Sequence, residues 1–182
     1  MASRHGLAWM QAVGGAQGRL VGGRLGSWVA GGVAMLPGVP SGVVFGLLGP
    51  LRVEGPRQEV RIGGVRRRTL LLRLLASPGR SVPVDVLAED VWDGHPSVAA
   101  VSTLQSHVSA LRQAIGPERL IFAGGGYQLR VASGEMDSLI FERDVAVGRA
   151  AMSAGDFESA ADTLDRALGR WRGRFAAAAR VR

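Results

Sequence analysis

Between positions 43 and 133 every stretch of regular hydrophobic spacing is short, and each stops at a turn-forming cluster: Gly49-Pro50, Gly55-Pro56, Gly63-Gly64, Pro78-Gly79, Asp93-Gly94, Gly116-Pro117 and Gly124-Gly125-Gly126. Glycine frees the backbone and proline removes a hydrogen-bond donor, so such clusters end helices and strands. This punctuation excludes a long helical rod and leaves a small domain of short elements. A chain of 182 residues has room for one such domain and flanking segments.

The period of the apolar residues then assigns the pieces. Val43–Leu48 and Leu51–Glu54 are β-prone, and Gln58–Ile62 alternates polar with apolar, which predicts a small antiparallel sheet of three strands. The period changes at Leu70, Leu71, Leu74 and Leu75, one broad face of a helix over about 66–77. Pro83 in a first turn, Asp85 near the positive helix end, and Val84, Leu87 and Val91 on one side predict a second helix to Trp92. A third helix, capped by Ser97 and running to Ile115, has Val101, Leu104, Val108, Leu111 and Ile115 as its core stripe. Arg119–Phe122 and Tyr127–Val131, joined through the glycine run, predict a hairpin. The order is that of an α+β winged helix-turn-helix: a small antiparallel sheet, three helices and a C-terminal β-hairpin wing. The glycines either keep the wing tip small enough to sit beside a sugar–phosphate backbone or form a flexible loop.

The outer face of the third helix points to a partner. At 100° per residue it collects Ala99, Ser102, Ser106, Ser109, Ala110 and Gln113, flanked by Thr103, Gln105 and Arg112, and none is acidic. All 22 basic residues are arginine against 15 acids, a net charge of +7, so the expected partner is an anion, and double-stranded DNA suits this face. Charge divides the chain into three expected regions. Residues 1–42 hold three arginines, no acid and eleven glycines, a disordered extension; 43–133 carry +4 and form the winged-helix domain; 134–182 balance eight arginines with eight acids in helical periodicity. The apolar part of the first region, Leu25–Leu36, is about 12 residues broken by glycines and closed by Pro37, short of the roughly 20 a membrane span needs.

With no cysteine, disulfides, thiolate metal sites and cysteine nucleophiles are excluded, and His5, His95 and His107 lack metal-ligand spacing. No cofactor is expected, and a reduced cytoplasmic setting, on the nucleoid, is the default. No phosphate-cradling loop, dinucleotide fingerprint or nucleophile elbow occurs, so the chain does not read as an enzyme.

Five strings in order, Phe45-Gly46-Leu47-Leu48-Gly49-Pro50-Leu51, Arg66-Arg67-Arg68, Leu87–Trp92, Leu104-Gln105-Ser106-His107-Val108-Ser109-Ala110-Leu111-Arg112 and Gly126-Tyr127-Gln128-Leu129, resemble the Streptomyces antibiotic regulatory protein family over about 43–175. The resemblance implies a winged helix followed by an all-helical bacterial transcriptional activator domain of tetratricopeptide-like hairpins. Met136-Asp137, the Gly155-Asp156 turn and Trp171-Arg172-Gly173 agree with it. It also implies activation of a secondary-metabolite gene cluster, RNA polymerase holoenzyme as a partner, and protomers side by side as a homodimer on direct repeats. Two departures stand out: Ala110 and Gln113 occupy places where the family often has basic residues. One helical hairpin, 134–182, is also less than the three or so repeats an independent array needs, so this segment is expected to be a truncated start of the activator domain that adds nothing to the winged-helix core.

Each candidate contact has a plainer counterpart. Arg66, Arg67 and Arg68 either hold phosphates or form a solvated helix start. The resemblance implies a phosphate for Arg112, against an ion pair with an acid such as Glu118. Gln105 suits an adenine edge, and Thr103 suits a thymine methyl or a phosphate, yet both are ordinary on a helix flank. Ser102, Ser106 and Ser109 line a groove or merely an alanine-rich surface, and Arg130 adds a cation on the second hairpin strand. His107 is a half-buried helix residue or phosphate neighbour, while Trp92 and Trp171 are core or interface aromatics. The rival to a DNA-binding regulator is a truncated protein–protein interaction module, or an inactive fragment without specific DNA reading.

Overall fold

A computed structural model of the chain describes residues 42–174. The extension assigned to 1–42 lies outside the described residues apart from Gly42, as does Phe175–Arg182. The elements run β1 (Val44–Gly46), β2 (Arg52–Glu54), α1 (Val65–Leu75), β3 (Ser81–Pro83), α2 (Val84–Val91), α3 (Ala100–Ile115), β4 (Leu120–Ala123), β5 (Gly126–Leu129), α4 (Asp137–Ser153) and α5 (Phe157–Leu168).

β1 and β2 pair antiparallel with Phe45 opposite Val53, both buried. The third strand expected at Gln58–Ile62 does not form. A turn in which the Gly55 amide donates to the Gln58 carbonyl (2.9 Å) folds this segment back, leaving one bridge, Glu54 to Glu59, and a bond from the Val60 amide to the Val53 carbonyl. Alternation brought Val60 and Ile62 partly onto the core, but no second ladder is available to extend the pairing.

α1 buries Leu70, Leu71, Leu74 and Leu75, as their spacing predicts. α2 buries Leu87, Ala88 and Val91, with Pro83 just before the helix and belonging to β3. That strand escaped the sequence reading because it is three residues long and ends in proline. Val82 is buried and pairs with Tyr127, so the hairpin is one part of a three-stranded sheet ordered β3-β5-β4.

α3 departs from expectation in its first turn. It starts at Ala100, and no side chain caps it; Ser97 contributes its carbonyl, which accepts from the Ala100 amide (2.8 Å). Ala100 takes the core position, 2 % exposed, while Val101 is 48 % exposed. Residues three and four before Leu104 are equally its neighbours on a helix, so spacing alone does not choose between them. The rest of the stripe, Leu104, Val108, Leu111 and Ile115, is buried against α1, α2 and the sheets.

The segment after 133 is tied into this core. The Phe45 amide donates to the Glu135 carbonyl (2.7 Å), Phe45 bridges Met136, and Met136 is buried. Asp137 accepts from the Leu47 amide (2.7 Å) and the Leu48 amide (3.1 Å). Below them Arg119, 1 % exposed, donates two 2.9 Å bonds to the Glu135 carboxylate, which also accepts from the Ala132 amide. The expectation that residues after 133 add nothing to the winged-helix core is therefore corrected: Glu135 and Met136 lie within it. α4 and α5 pack as an antiparallel hairpin in which Gly148 leaves room for Leu164 and Asp156 caps α5 through the Ser159 amide (3.0 Å). After α5 the chain returns to the first sheet, where the Arg172 amide meets the Leu48 carbonyl and its guanidinium meets Asp137 (3.1 Å).

Candidate nucleic-acid interface

The outer face of α3 is built by subtraction. Every large apolar residue except Val101 turns inward, leaving Ser102, Gln105, Ser106, Ser109 and Gln113 exposed and Thr103, Ala110 and Arg112 half-buried at its margins. Three of the hydroxyls are already in use. Ser102 and Thr103 donate to the Ala99 carbonyl (3.0 and 2.9 Å), and Ser106 donates to the Ser102 carbonyl (3.2 Å). Their protons spent on the helix, they present acceptor lone pairs and, for Thr103, a methyl group. Gln105 makes no side-chain hydrogen bond to the described residues, so its amide keeps the donor and acceptor that a bidentate base contact requires. Val101 lies one turn before Gln105, an exposed methyl-bearing side chain that the core-stripe assignment concealed.

The ion pair with Glu118, the plainer expectation for Arg112, does not form among the described residues. Instead, Arg112 donates from Nε to the Leu120 carbonyl (2.7 Å) and lies 6.0 Å from the Tyr127 ring centroid. This ties the end of α3 to the hairpin and leaves both Nη groups without a partner among the described residues. In the hairpin, Gly124 and Gly125 have φ of 57° and 76°, the two-residue turn with positive φ that matches strand twist. Gly126 is needed for a different reason: a Cβ there would collide with the Val82 carbonyl of β3. The glycine run is thus a tight tip plus a strand crossing. Phe122 stands out from the hairpin, 59 % exposed and edge-on to Tyr127 at 5.3 Å.

The structure separates the arginine triplet. Arg66 and Arg67 line a cleft of about 590 Å³ with Trp92, Asp93, Thr103 and His107, and Arg66 sits 5.3 Å above the Trp92 ring. Arg68 lines another groove, with Val53, Glu59 and Ile62. Arg130 is half-buried where β5 ends, its amide bonded to the Arg119 carbonyl (2.8 Å) and its own carbonyl near Arg119 Nη1 (3.4 Å). His107 stacks on Trp92 at 6.3 Å, and burial, then Arg67 and Arg66, hold its imidazole below the ordinary value of 6.5. Sequence spacing alone does not bring Trp92 and His107 together with Arg66 and Arg67. The four-residue step from Thr103 to His107, which stacks them on one helix face, was the available signal.

A 16-residue α3 with an acid-free outer face, braced by two other helices and followed by a β-hairpin, defines a winged helix-turn-helix domain. Residues 58–129 match the family model described as transcriptional regulatory protein, C terminal, and residues 136–182 match the bacterial transcriptional activator domain. The chain belongs to the Streptomyces antibiotic regulatory protein family. It is 33 % identical over 130 residues to the regulatory protein AfsR of Streptomyces coelicolor, covering 71 % of this chain and 13 % of that protein. It is 29 % identical over 138 residues to the regulatory protein DnrI of Streptomyces peucetius, 70 % of this chain and 51 % of that one. The solved structure of Mycobacterium tuberculosis EmbR in complex with a low-affinity phosphopeptide superposes with a TM-score of 0.70 at 32 % identity, over 75 % of this chain and 38 % of EmbR. The chain thus spans about half or less of these relatives. Among the described residues no helix is long and apolar enough to cross a membrane.

Proposed function

We propose that this chain binds double-stranded DNA, laying α3 in the major groove and the β4–β5 wing against the adjacent backbone, and regulates transcription as an activator of a secondary-metabolite gene cluster. The observation that carries the reading is the outer face of α3: exposed, free of acids, equipped with an unpaired Gln105 amide, and bordered by Arg66 and Arg67 on one side and Arg112 on the other. In this reading Gln105 and Val101 read base edges, Thr103, Ser102, Ser106 and Ser109 allow close approach, and Arg66, Arg67, Arg68, Arg112 and Arg130 hold phosphates. Pairing of protomers on direct repeats and contact with RNA polymerase holoenzyme belong to the same proposal, supported by the family the chain belongs to.

The test is duplex-DNA affinity of the whole chain across salt concentration. Each neutralised phosphate contributes about 0.9 to the log–log slope, and the expected result is a slope of about −3 to −5. Absent or salt-independent binding rejects the DNA reading in favour of a protein-interaction module.

A further inference from the structure

The cleft between the start of α1, the end of α2 and α3 brings together more cation than the chain neutralises. Arg66 and Arg67 come from α1, Trp92 and Asp93 from the end of α2, and Thr103 and His107 from α3. Among the described residues no carboxylate pairs with Arg66 or Arg67, and Asp93 is the only acid lining the cleft. Two ring or guanidine nitrogens, Arg67 Nε and His107 Nε2, are out of contact with solvent and have no hydrogen-bond partner. A polar group left in that condition is costly unless something arrives to satisfy it. Thr103, whose proton is bonded to the Ala99 carbonyl, keeps its lone pairs but makes no hydrogen bond to either nitrogen.

We propose that this cleft is a proton-linked clamp for one phosphodiester of duplex DNA, held by Arg66, Arg67 and the doubly protonated His107. The proposal rests on the DNA reading above and adds to it a specific backbone anchor and a pH dependence. In the free protein burial and the two arginines disfavour the imidazolium. A phosphate anion placed between them reverses the balance, because it screens the arginines from the ring and accepts from Nε2–H of the charged form. The groups facing the ring are Arg66 and Arg67 from α1 and Asp93 beyond α2; Trp92 stacks on it without titrating. The sign follows by linkage: the bound state takes up a proton that the free state lacks, so affinity rises as pH falls through the bound-state pKa and levels off below the free-state value. Each unit by which DNA raises the His107 pKa adds up to about tenfold in affinity across that window.

The measurement is the His107 imidazole titration followed by NMR in the whole chain, free, with a short duplex, and with inorganic phosphate, alongside duplex affinity between pH 5.5 and 8 for the native chain, His107→Gln and His95→Gln. The clamp predicts that duplex raises the His107 pKa by at least one unit, that His107→Gln flattens the pH dependence, and that His95→Gln, whose ring faces the Asp93 carbonyl in the turn outside the cleft, keeps it. Duplex binding with an unmoved His107 pKa overturns the clamp and leaves the DNA reading intact. An equal rise with inorganic phosphate alone makes the cleft a site for free anions and overturns the duplex assignment. If duplex does not bind at low salt, both the clamp and the DNA reading fall.

Discussion

Arg119 is the residue on which the two halves of the molecule turn. It is almost wholly buried, and its two bonds to Glu135 join the start of the wing to the turn entering α4. Removing one member of a buried pair strands the other charge, at a cost of about 3–5 kcal/mol, whereas removing both is often close to neutral. Arg119→Met should therefore lower stability to urea by about that amount, and Arg119→Met with Glu135→Leu should recover most of it. A single variant as stable as the native chain would show that the pair contributes nothing. No sequence signal marks Arg119 among 22 arginines: a buried guanidinium is recognisable only from its partner, sixteen residues away in a segment whose charge looks balanced and solvated. Gln105, by contrast, was legible, because a helix face is set by residue spacing alone. Val101 was misplaced for the same reason, since spacing of three or four leaves two candidates in the first turn.

Among the elements, the leucine spacing of α1, the lower stripe of α3 and the glycine turn of the hairpin follow from period and punctuation. β3 and the missing strand at 58–62 do not. Whether a short extended segment becomes a strand depends on a neighbour with a free edge, and neighbours are set by the tertiary fold. The wing sheet makes the point at Gly126, buried opposite Pro83 with no space for a Cβ. Gly126→Ala should cost about 3 kcal/mol by forcing β3 and β5 apart. Gly63→Ala, at a position with open space and no positive φ, should change stability by less than about 0.5 kcal/mol. Thermal unfolding of the two variants checks this; equal melting temperatures would mean that β3 does not pack as described. The arginine triplet shows the limit for sites. Three consecutive helix residues point in three directions, and only the fold shows that Arg66 and Arg67 enter the His107 cleft while Arg68 faces another groove.

At the scale of the whole molecule, the contacts of Phe45 with Glu135 and Met136, of Asp137 with Leu47 and Leu48, and of Arg172 with Leu48 fasten α4 and α5 to the first sheet. Charge division at 133 marked a change in composition, which backbone pairing ignores. Limited digestion with a protease of broad specificity such as proteinase K should accordingly leave a resistant fragment that extends from near Val43 past Trp171, and a fragment ending near Ser133 would show that the hairpin of α4 and α5 docks too weakly to resist opening. The central claim, that α3 faces the DNA major groove, has a direct test because the chain contains no cysteine. Gln105→Cys and Asp162→Cys each provide a single attachment point for an iron chelate that cleaves nearby DNA. With duplex bound, the chelate at position 105 should cut both strands in the pattern of a major-groove source, and the chelate at position 162 on α5 should cut little. Cleavage from position 162 with none from position 105 would contradict the account.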